Sequence, residues 1–372
     1  MNTVIPAKIG MSLGDVDTPA LLIDLDNLEQ NISVLAAYCD GQKIDLRAHA
    51  KTHKSVDIAK LQIRHGAVGI CCQKVSEAEV FVQNGINDIL ITNQVLGECK
   101  IKRLADLAKK SKMGVCVDDP ANVEELNRIA AELGVYLTIL IELDVGGGRC
   151  GIRSKQTLHL MAKKITQASH LVFGGLQAYH GGAQHICDYR LRRQAIEHAV
   201  SIVSAGNHRL LSHGFSCRSI TGGGTGTYPF ETGSGLYTEL QCGSYVFMDA
   251  DYGKICMEDK QIINTFENSL FVLTTVMSKT NAKRAICDAG LKAHSIDSGP
   301  PLIREARSVE YVASSDEHGV LHDPENILRL GDKLLLIPGH CDPTVNMHNW
   351  YIGIRKNRVE QIWPVSARGM LT

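Results

Sequence analysis

The sequence lacks a net charge, a paired-cysteine pattern and any long apolar run. Lys and Arg number 39 against 40 Asp and Glu, for a formal net charge of -1, so no global field favours nucleic acid or a membrane surface. The 12 cysteines are scattered, with no C-x-x-C spacing, which favours reduced thiols over a disulfide scaffold. No run approaches the roughly 18 apolar residues of a membrane span, and the N-terminus lacks a signal-peptide pattern. We therefore expect a soluble cytoplasmic protein with a small-molecule ligand.

What the sequence does have is a regular alternation of strand-like and helix-like segments. Its 372 residues are 44% hydrophobic, enough to bury a sizeable core. After an opening strand, PALLIDLD, eight β-branched or apolar runs are separated by amphipathic stretches. The runs are IDLRAHA, AVGICC, DILITN, MGVCVD, LTILIELD, LVFGGLQAY, CRSIT and TELQCGSYVFM. Eight βα units predict a (β/α)8 TIM barrel, and a doubly wound open sheet is the alternative.

The pattern changes at about Asp251, where strand-like runs follow one another without intervening helices. Gly, Pro, Asn and Asp turns separate NSLFVLTTVMS, RAICDAG, SVEYVASSD, KLLLIPGH and NWYIGIR, which indicates an antiparallel β-domain. We predict an α/β protein with the barrel over residues 25–250. The β-domain is predicted over residues 1–24 and 251–372, with the opening strand joining it.

Polar residues gather directly after the barrel strands, at the end where this fold carries its chemistry. Lys51 lies in HAKTHK at the end of a strand, on the same face as His49. Burial there would lower the pKa of the lysine amine and leave it nucleophilic, as a Schiff-base lysine requires. From this motif alone, an exposed lysine in a basic loop is the alternative.

A glycine-rich run, GGGTGT at residues 222–227, follows the seventh barrel strand. Its backbone N–H groups favour a concave phosphate-binding loop to which Thr225 adds a hydroxyl, and a flexible loop is the alternative. The spacing does not match a nucleotide-binding loop, but loops after the seventh and eighth strands are the recurrent phosphate site of this fold. One lysine and one phosphate loop at the same barrel end point to pyridoxal phosphate.

Two further groups of charged residues are candidates. Arg149 in GGGRCG would hold an anionic group of the cofactor or form an interdomain ion pair. His340 and Asp342 stand two apart after KLLLIPG, where strand alternation would aim both at a divalent cation. A turn aspartate and a hydrogen-bonded histidine, or a zinc site with Cys341 and His348, are the alternatives.

Taken together, the motifs resemble those of the D-threonine aldolase family, which is related to D-serine dehydratase and alanine racemase. The resemblance covers about Thr18 to Gly369 and is carried by RAHAKTHKS, CCQKVSEAE, ELDVGGGRCGI, GGGTGTY, ELQCGSYVFMDADYG, DAGLKA, SDEHG and PGHCDPTVN. It implies a pyridoxal 5'-phosphate barrel followed by a β-domain, assembled as a homodimer and dependent on a divalent metal.

The resemblance also implies roles for individual residues. Lys51 matches the Schiff-base lysine, and His340 and Asp342 match the metal ligands. Residues matching the surroundings of the cofactor and its phosphate are Gln73, Arg149, Tyr179, Gly223, Gly224, Thr225, Gly243 and Ser244. The related dehydratases carry His-x-Cys where this chain has His-x-Asp, and the harder carboxylate favours Mg²⁺ or Mn²⁺ over Zn²⁺.

The implied reaction is retro-aldol cleavage of a D-3-hydroxy amino acid, D-threonine or 3-hydroxy-D-aspartate, to glycine and an aldehyde. His185 is the candidate base for the 3-hydroxyl proton, and Arg304, Arg307 and Arg355 are candidate anchors for a distal carboxylate. The alternative within this fold is a metal-dependent D-serine or 3-hydroxy-D-aspartate dehydratase, which gives a 2-oxo acid and ammonia. A non-catalytic pyridoxal-phosphate carrier and a nucleotide-binding oxidoreductase are the other classes weighed.

Overall fold

The computed structural model describes residues 4–259, 261, 264–306 and 308–372. A single 3-10 turn, Leu13–Asp15, precedes strand β1 (Ala20–Asp24), which leads directly into helix α1 (Leu25–Gln42). Asp24 makes this transition possible because its carboxylate accepts a hydrogen bond of 3.2 Å from the backbone N–H of Asn27 and so caps α1.

The next eight strands are parallel and close into a barrel. They are β2 (Asp45–His49), β3 (Gly69–Cys72), β4 (Asp88–Gln94), β5 (Lys112–Val117), β6 (Leu137–Glu142), β7 (Leu171–Ala178), β8 (Ser219–Gly222) and β9 (Glu239–Leu240). The short β9 closes the barrel by pairing with β2, with Glu239 opposite Asp45. The predicted barrel is confirmed, and the open-sheet alternative is wrong.

Helices cover the outside of the barrel. They are α2 (Val56–Arg64), α3 (Val75–Gln83), α4 (Glu98–Leu107), α5 (Pro120–Leu133), α6 (Lys155–Gln167), α7 (Tyr189–Ser212) and α8 (Tyr228–Gly233). The sequence signals at α5 hold, since Pro120 is its first residue and Gly134 ends it in the left-handed region at φ 64. Over the described part of the chain, none of the helices has the length and apolar character needed to cross a membrane.

The barrel interior is closed by a layer of four apolar side chains. Cys71, Leu90, Cys116 and Leu140 pack together on neighbouring strands β3 to β6. On the N-terminal side of this layer, Arg47 bridges Asp88 at 2.6 Å and Glu239 at 3.0 Å. On the C-terminal side the inward side chains are polar, and the barrel opens into a cavity.

The second part of the fold is a mostly antiparallel sheet. Its strands after the barrel are β10 (Leu270–Asn281), β11 (Arg284–Cys287), β12 (Leu302–Ile303), β13 (Glu310–Ser314), β14 (Gly319–His322), β15 (Lys333–Ile337), β16 (Trp350–Arg355) and β17 (Arg358–Pro364). The N-terminal strand β1 lies within this sheet, antiparallel to β10 and parallel to β16. A short helix, α9 (Cys341–Val345), leaves the sheet after β15.

The sheet meets the barrel at the barrel's C-terminal end. The Tyr351 hydroxyl of β16 donates a hydrogen bond of 2.6 Å to the carbonyl of His53, just after β2. The backbone N–H of Cys341 donates to Asp249 at 3.0 Å. These contacts bring β16 against the loop that follows β2, and the start of α9 against the segment that follows β9.

Candidate active site

A cavity of about 360 Å³ lies at the C-terminal end of the barrel, under the start of α9. Ten of the residues selected from sequence line it: Lys51, Gln73, Arg149, Tyr179, His185, Gly224, Thr225, Gly243, Ser244 and His340. Gly223 adjoins this group along the chain, and Asp342 touches the Lys51 amine. The predicted residues therefore come from both parts of the fold and meet at one cavity. Its volume lies in the range typical of small-molecule sites.

Lys51 is placed in a turn beyond β2, since the strand itself ends at His49. The Lys51 amine donates a hydrogen bond to the carboxylate of Asp342, and 35% of the side chain is exposed. Burial acts to lower the pKa of this amine, as expected from sequence, but the charge of Asp342 outweighs it and the pKa is raised. The expectation of a depressed pKa was wrong because it omitted this carboxylate, 291 residues away in the chain.

The turn that carries Lys51 is fixed by a buried ion pair. Lys54, two residues before α2, pairs with Glu77 of α3, and both side chains are buried. The other oxygen of Glu77 accepts hydrogen bonds from the backbone N–H groups of Gln73 at 2.8 Å and Lys74 at 3.1 Å. The pair thus ties the Lys51 turn to the segment that presents Gln73.

The floor of the cavity is a hydrogen-bonded group at the ends of three strands. His49 Nε2 lies 3.0 Å from the Thr92 hydroxyl and 3.1 Å from the Gln73 side-chain nitrogen. Burial, followed by the charge of Lys51, holds the pKa of His49 well below its ordinary value. The imidazole is therefore neutral at physiological pH and serves as an uncharged support beneath the cavity.

Arg149 and Tyr179 stand together on the loops after β6 and β7. The guanidinium carbon of Arg149 lies 6.0 Å from the centre of the Tyr179 ring. Burial raises the pKa of the Tyr179 hydroxyl. Asp144 shapes the glycine loop before Arg149, because its carboxylate accepts from the N–H groups of Gly146 and Gly148, each at 3.0 Å. No described acidic side chain pairs with Arg149, so the interdomain ion pair is not observed.

The 222–227 loop is buried and shaped by Gln184. The Gln184 carbonyl oxygen accepts from Gly226 N–H at 3.0 Å, and its amide nitrogen donates to the Thr227 hydroxyl at 2.7 Å. A Cβ on Gly224 would stand 2.5 Å from that Gln184 oxygen, which explains the glycine. The Thr225 hydroxyl is buried without a hydrogen-bond partner among the described residues. A buried, unpartnered hydroxyl beside glycine N–H groups fits a bound phosphate ester.

His340 and Asp342 lie at the start of α9, so the prediction that they end a strand was wrong. β15 stops at Ile337, and His340 is the residue before the helix. His340 Nδ1 lies 2.7 Å from Asp297, and the second oxygen of Asp342 is buried without a partner among the described residues. The Lys51 charge holds the pKa of Asp342 at about 2 against the opposing effect of burial.

The donor set at α9 fits a hard divalent ion with an open coordination sphere. One imidazole nitrogen and one carboxylate face the cavity region, and the described residues contain no cluster of three or more metal-binding side chains. The Asp297 contact is of the kind that orients a ligating histidine. The alternative zinc set is not assembled, because Cys341 bonds to the Met248 carbonyl and His348 to the Ala293 carbonyl.

His185 lines the cavity from a 3-10 turn, Gly182–His185. Its Nδ1 contacts the carboxylate of Asp251, and half of its side chain is exposed. A carboxylate in contact with Nδ1 sets the tautomer and the orientation of an imidazole ring.

Two of the three arginines considered as distal anchors, Arg304 and Arg355, are not brought to the cavity. Arg304 stacks on Phe271 at 4.6 Å, next to Asp24 in the β-domain. Arg355 pairs with Asp26, Glu29 and Glu360 at the surface. Arg307 lies outside the described residues.

Sequence reasoning missed the residues that hold the predicted ones in place. Gln184, Asp144, Asp251, Asp297 and Glu77 each bond to a site residue or to its loop. Asp144 is the exception, because it belongs to the polar residues that directly follow the predicted strands, two positions before the first glycine of the run. For Asp251 and Asp297 the contact spans 66 and 43 residues, and no local pattern points to it.

Comparisons with known proteins agree with this architecture. The family described as "Alanine racemase, N-terminal domain" matches residues 23–251, and the family described as "Putative serine dehydratase domain" matches residues 269–354. A 3-hydroxy-D-aspartate aldolase of Paracoccus denitrificans (strain Pd 1222) is 47% identical over 98% of this chain and 95% of its own length. The chain belongs to the D-threonine aldolase family.

Two further members support the assignment. A D-threonine aldolase of an Arthrobacter species is 43% identical over 98% of this chain and 96% of its own length. The crystal structure of D-threonine aldolase from Filomicrobium marinum matches with a TM-score of 0.96 and 41% identity, covering 100% of both chains. The protein is accordingly an enzyme, a carbon–carbon lyase of an alanine-racemase-like, pyridoxal-phosphate-dependent family.

Proposed function

We propose that this protein is a pyridoxal-phosphate- and divalent-metal-dependent aldolase that cleaves D-3-hydroxy amino acids to glycine and an aldehyde. The observation that carries the proposal is the meeting of Lys51 with Asp342 at one cavity, beside the buried 222–227 loop. That loop, the lysine and the His-x-Asp pair are the parts a cofactor and a hard metal ion require.

Several of the cavity residues would hold the cofactor. Lys51 would bind the aldehyde of pyridoxal phosphate, and Arg149 and Tyr179 would lie at its ring. The loops at residues 223–225 and 243–244 would bind the phosphate, with the Thr225 hydroxyl filling its missing hydrogen bond. When bound, the cofactor supplies an electron sink for the pair left on Cα.

His340 and Asp342 would hold the divalent ion through one nitrogen and one carboxylate oxygen, and Mg²⁺ or Mn²⁺ suits this set better than Zn²⁺. When bound, such an ion supplies a Lewis acid that lowers the pKa of a hydroxyl group. Asp297 orients His340, and the Lys51 contact keeps Asp342 ionised.

His185 would take the proton of the substrate 3-hydroxyl. The imidazole lines the cavity, and its Nδ1 is held by Asp251, which leaves Nε2 to face the substrate. Loss of this proton drives cleavage of the Cα–Cβ bond and releases the aldehyde. We further propose that the enzyme works as a homodimer, as the family resemblance implies.

Product analysis tests the function. The holoenzyme with Mn²⁺ is incubated separately with D-threonine and with 3-hydroxy-D-aspartate, and glycine, aldehyde, 2-oxo acid and ammonia are quantified. We expect glycine and the matching aldehyde, acetaldehyde or glyoxylate, in equal amounts. A 2-oxo acid with ammonia would instead establish a dehydratase. Product formation that is unchanged after chelation of the metal would contradict the role of His340 and Asp342.

A further inference from the structure

A carboxylic acid lies buried behind the 222–227 loop, on the side away from the cavity. Glu231 of α8 is 1% exposed. Its carboxyl carbon is 3.4 Å from the point where a Cβ on Gly223 would stand. The acid is thus in contact with the loop but takes no part in the chemistry described above.

A relay of hydrogen bonds joins this acid to the backbone of the loop. The Thr227 hydroxyl donates to Glu231 Oε1 at 2.8 Å, and the Gln184 amide donates to the same hydroxyl at 2.7 Å. Gln184 in turn accepts from Gly226 N–H at 3.0 Å. Because the Thr227 hydroxyl gives its one proton to Glu231, it accepts from the Gln184 amide nitrogen, and this orientation leaves the Gln184 amide oxygen to accept from Gly226 N–H.

The surroundings of Glu231 favour its neutral form. The titratable groups that face it are Tyr38 of α1, Tyr237 before β9 and Cys242 after β9, and none of these supplies a positive charge. Its Oε2 is buried without a partner among the described residues. Burial raises the pKa of this carboxyl to about 7.

We propose that Glu231 is a positioning residue for the cofactor phosphate, that it acts as the neutral acid, and that its ionisation weakens the loop's hold on a phosphate ester. The inference rests on the proposed function, because it requires that the 222–227 loop binds this phosphate. A negative charge in a buried position behind the loop repels a phosphate dianion with little screening by solvent. The expected loss of affinity is on the order of ten-fold.

The test compares two ligands that differ only in the phosphate. Dissociation constants of pyridoxal 5'-phosphate and of pyridoxal are measured on the apoenzyme at about pH 6 and about pH 8.5, and their ratio isolates the phosphate contribution from the chemistry at Lys51. The wild type is compared with Glu231→Gln, which keeps the acceptor for Thr227 and cannot ionise. Ionisation of the ligand phosphate itself, near pH 6, is the same for both proteins and cancels.

The phosphate preference is the ratio of the dissociation constant of pyridoxal to that of pyridoxal 5'-phosphate. Between about pH 6 and about pH 8.5, we expect this ratio to fall about ten-fold more in the wild type than in Glu231→Gln. Parallel pH profiles for the two proteins would overturn the proposal. Absence of a borohydride-fixed adduct on Lys51 with either ligand would overturn the proposed function, and this inference with it.

A second pair of variants tests the relay with Glu231 intact. Thr227→Val should reduce the preference for the phosphorylated ligand at both pH values, and Thr227→Ser, which restores the hydroxyl, should return it. An unchanged preference in Thr227→Val would show that the relay does not position the loop. These measurements stand even if Glu231→Gln fails to fold.

Discussion

Lys51 and Asp342 come from different parts of the fold, and each changes the ionisation of the other. The carboxylate raises the pKa of the amine, and the amine contributes to a pKa of about 2 at the carboxyl. From sequence, the rim position of Lys51 was predictable because strand ends in a barrel carry the chemistry. Its charged state was not, because that depends on a side chain 291 residues away.

Replacement of Asp342 tests its proposed role as a ligand of the metal ion. Asp342→Asn removes an anionic oxygen from a two-residue donor set, and we expect Mn²⁺ affinity and aldol cleavage to fall at least about 100-fold. Asp297→Asn, which leaves both ligands in place, should weaken Mn²⁺ binding by about ten-fold. Calorimetric titration with Mn²⁺ measures the metal affinity of both variants. Wild-type affinity in Asp342→Asn would exclude the carboxylate as a ligand.

Glu231 should make the folded state less stable as the pH rises. Its pKa is about 7 in the folded protein, above the usual range of a carboxyl, so between about pH 4.5 and pH 7 the native state binds more protons than the unfolded state. The free energy of unfolding therefore decreases through that interval, by up to roughly 3 kcal/mol. Glu231→Gln should remove this dependence in urea denaturation at pH 5 and pH 8. An equal pH slope in both proteins would contradict the buried neutral acid.

The turn after β2 and helix α3 are held together by one buried ion pair, Lys54 and Glu77. Glu77→Gln leaves the lysine charge buried and unmatched, which typically costs about 3–5 kcal/mol. Glu79→Gln on the same helix is the matched control, because the Glu79 pair with Arg103 is partly exposed and should contribute no more than about 1 kcal/mol. Urea denaturation compares the two. Equal losses of unfolding free energy would contradict the role assigned to Glu77.

Elements with strong local signals were predictable, and those without them were not. The barrel strands show as apolar runs, and α5 has proline at its start and glycine at its end. The strands β12, β14 and β17 were missed. β12 has only two residues, and β14 (GVLH) and β17 (RVEQIWP) lack a continuous apolar run of the length seen in the predicted strands. The start of α9 looked like the end of a strand because His340, Cys341 and Asp342 continue an alternating pattern beyond Ile337.

Strand β1 is separated from both of its partners in the sheet by most of the chain. β1 begins the chain before the barrel but pairs with β10 and β16, which follow it by about 250 and 330 residues. The short apolar run in PALLIDLD predicted an opening strand, which the sequence analysis assigned to the β-domain. The parallel pairing with β16 was not predictable, because register across such a distance leaves no trace in a single sequence.

Truncation of Leu22 tests whether β1 holds the second sheet together. Leu22 is fully buried and lies opposite Phe271 and Ile352. Leu22→Ala should reduce the free energy of unfolding by about 2–5 kcal/mol. Leu96→Ala, at a residue that is 60% exposed, should change it by less than about 0.5 kcal/mol. A similar melting temperature for the two variants would contradict the central place of β1.

The central claim is that the Lys51 amine binds the cofactor aldehyde in the barrel cavity. The most direct measurement is borohydride reduction of the pyridoxal-phosphate-loaded protein, followed by peptide mapping of the stable adduct. We expect a single pyridoxyl label on Lys51, with loss of the visible absorption of the holoenzyme. A label on Lys54 or another lysine, or no label in a protein that still cleaves its substrate, would contradict the account.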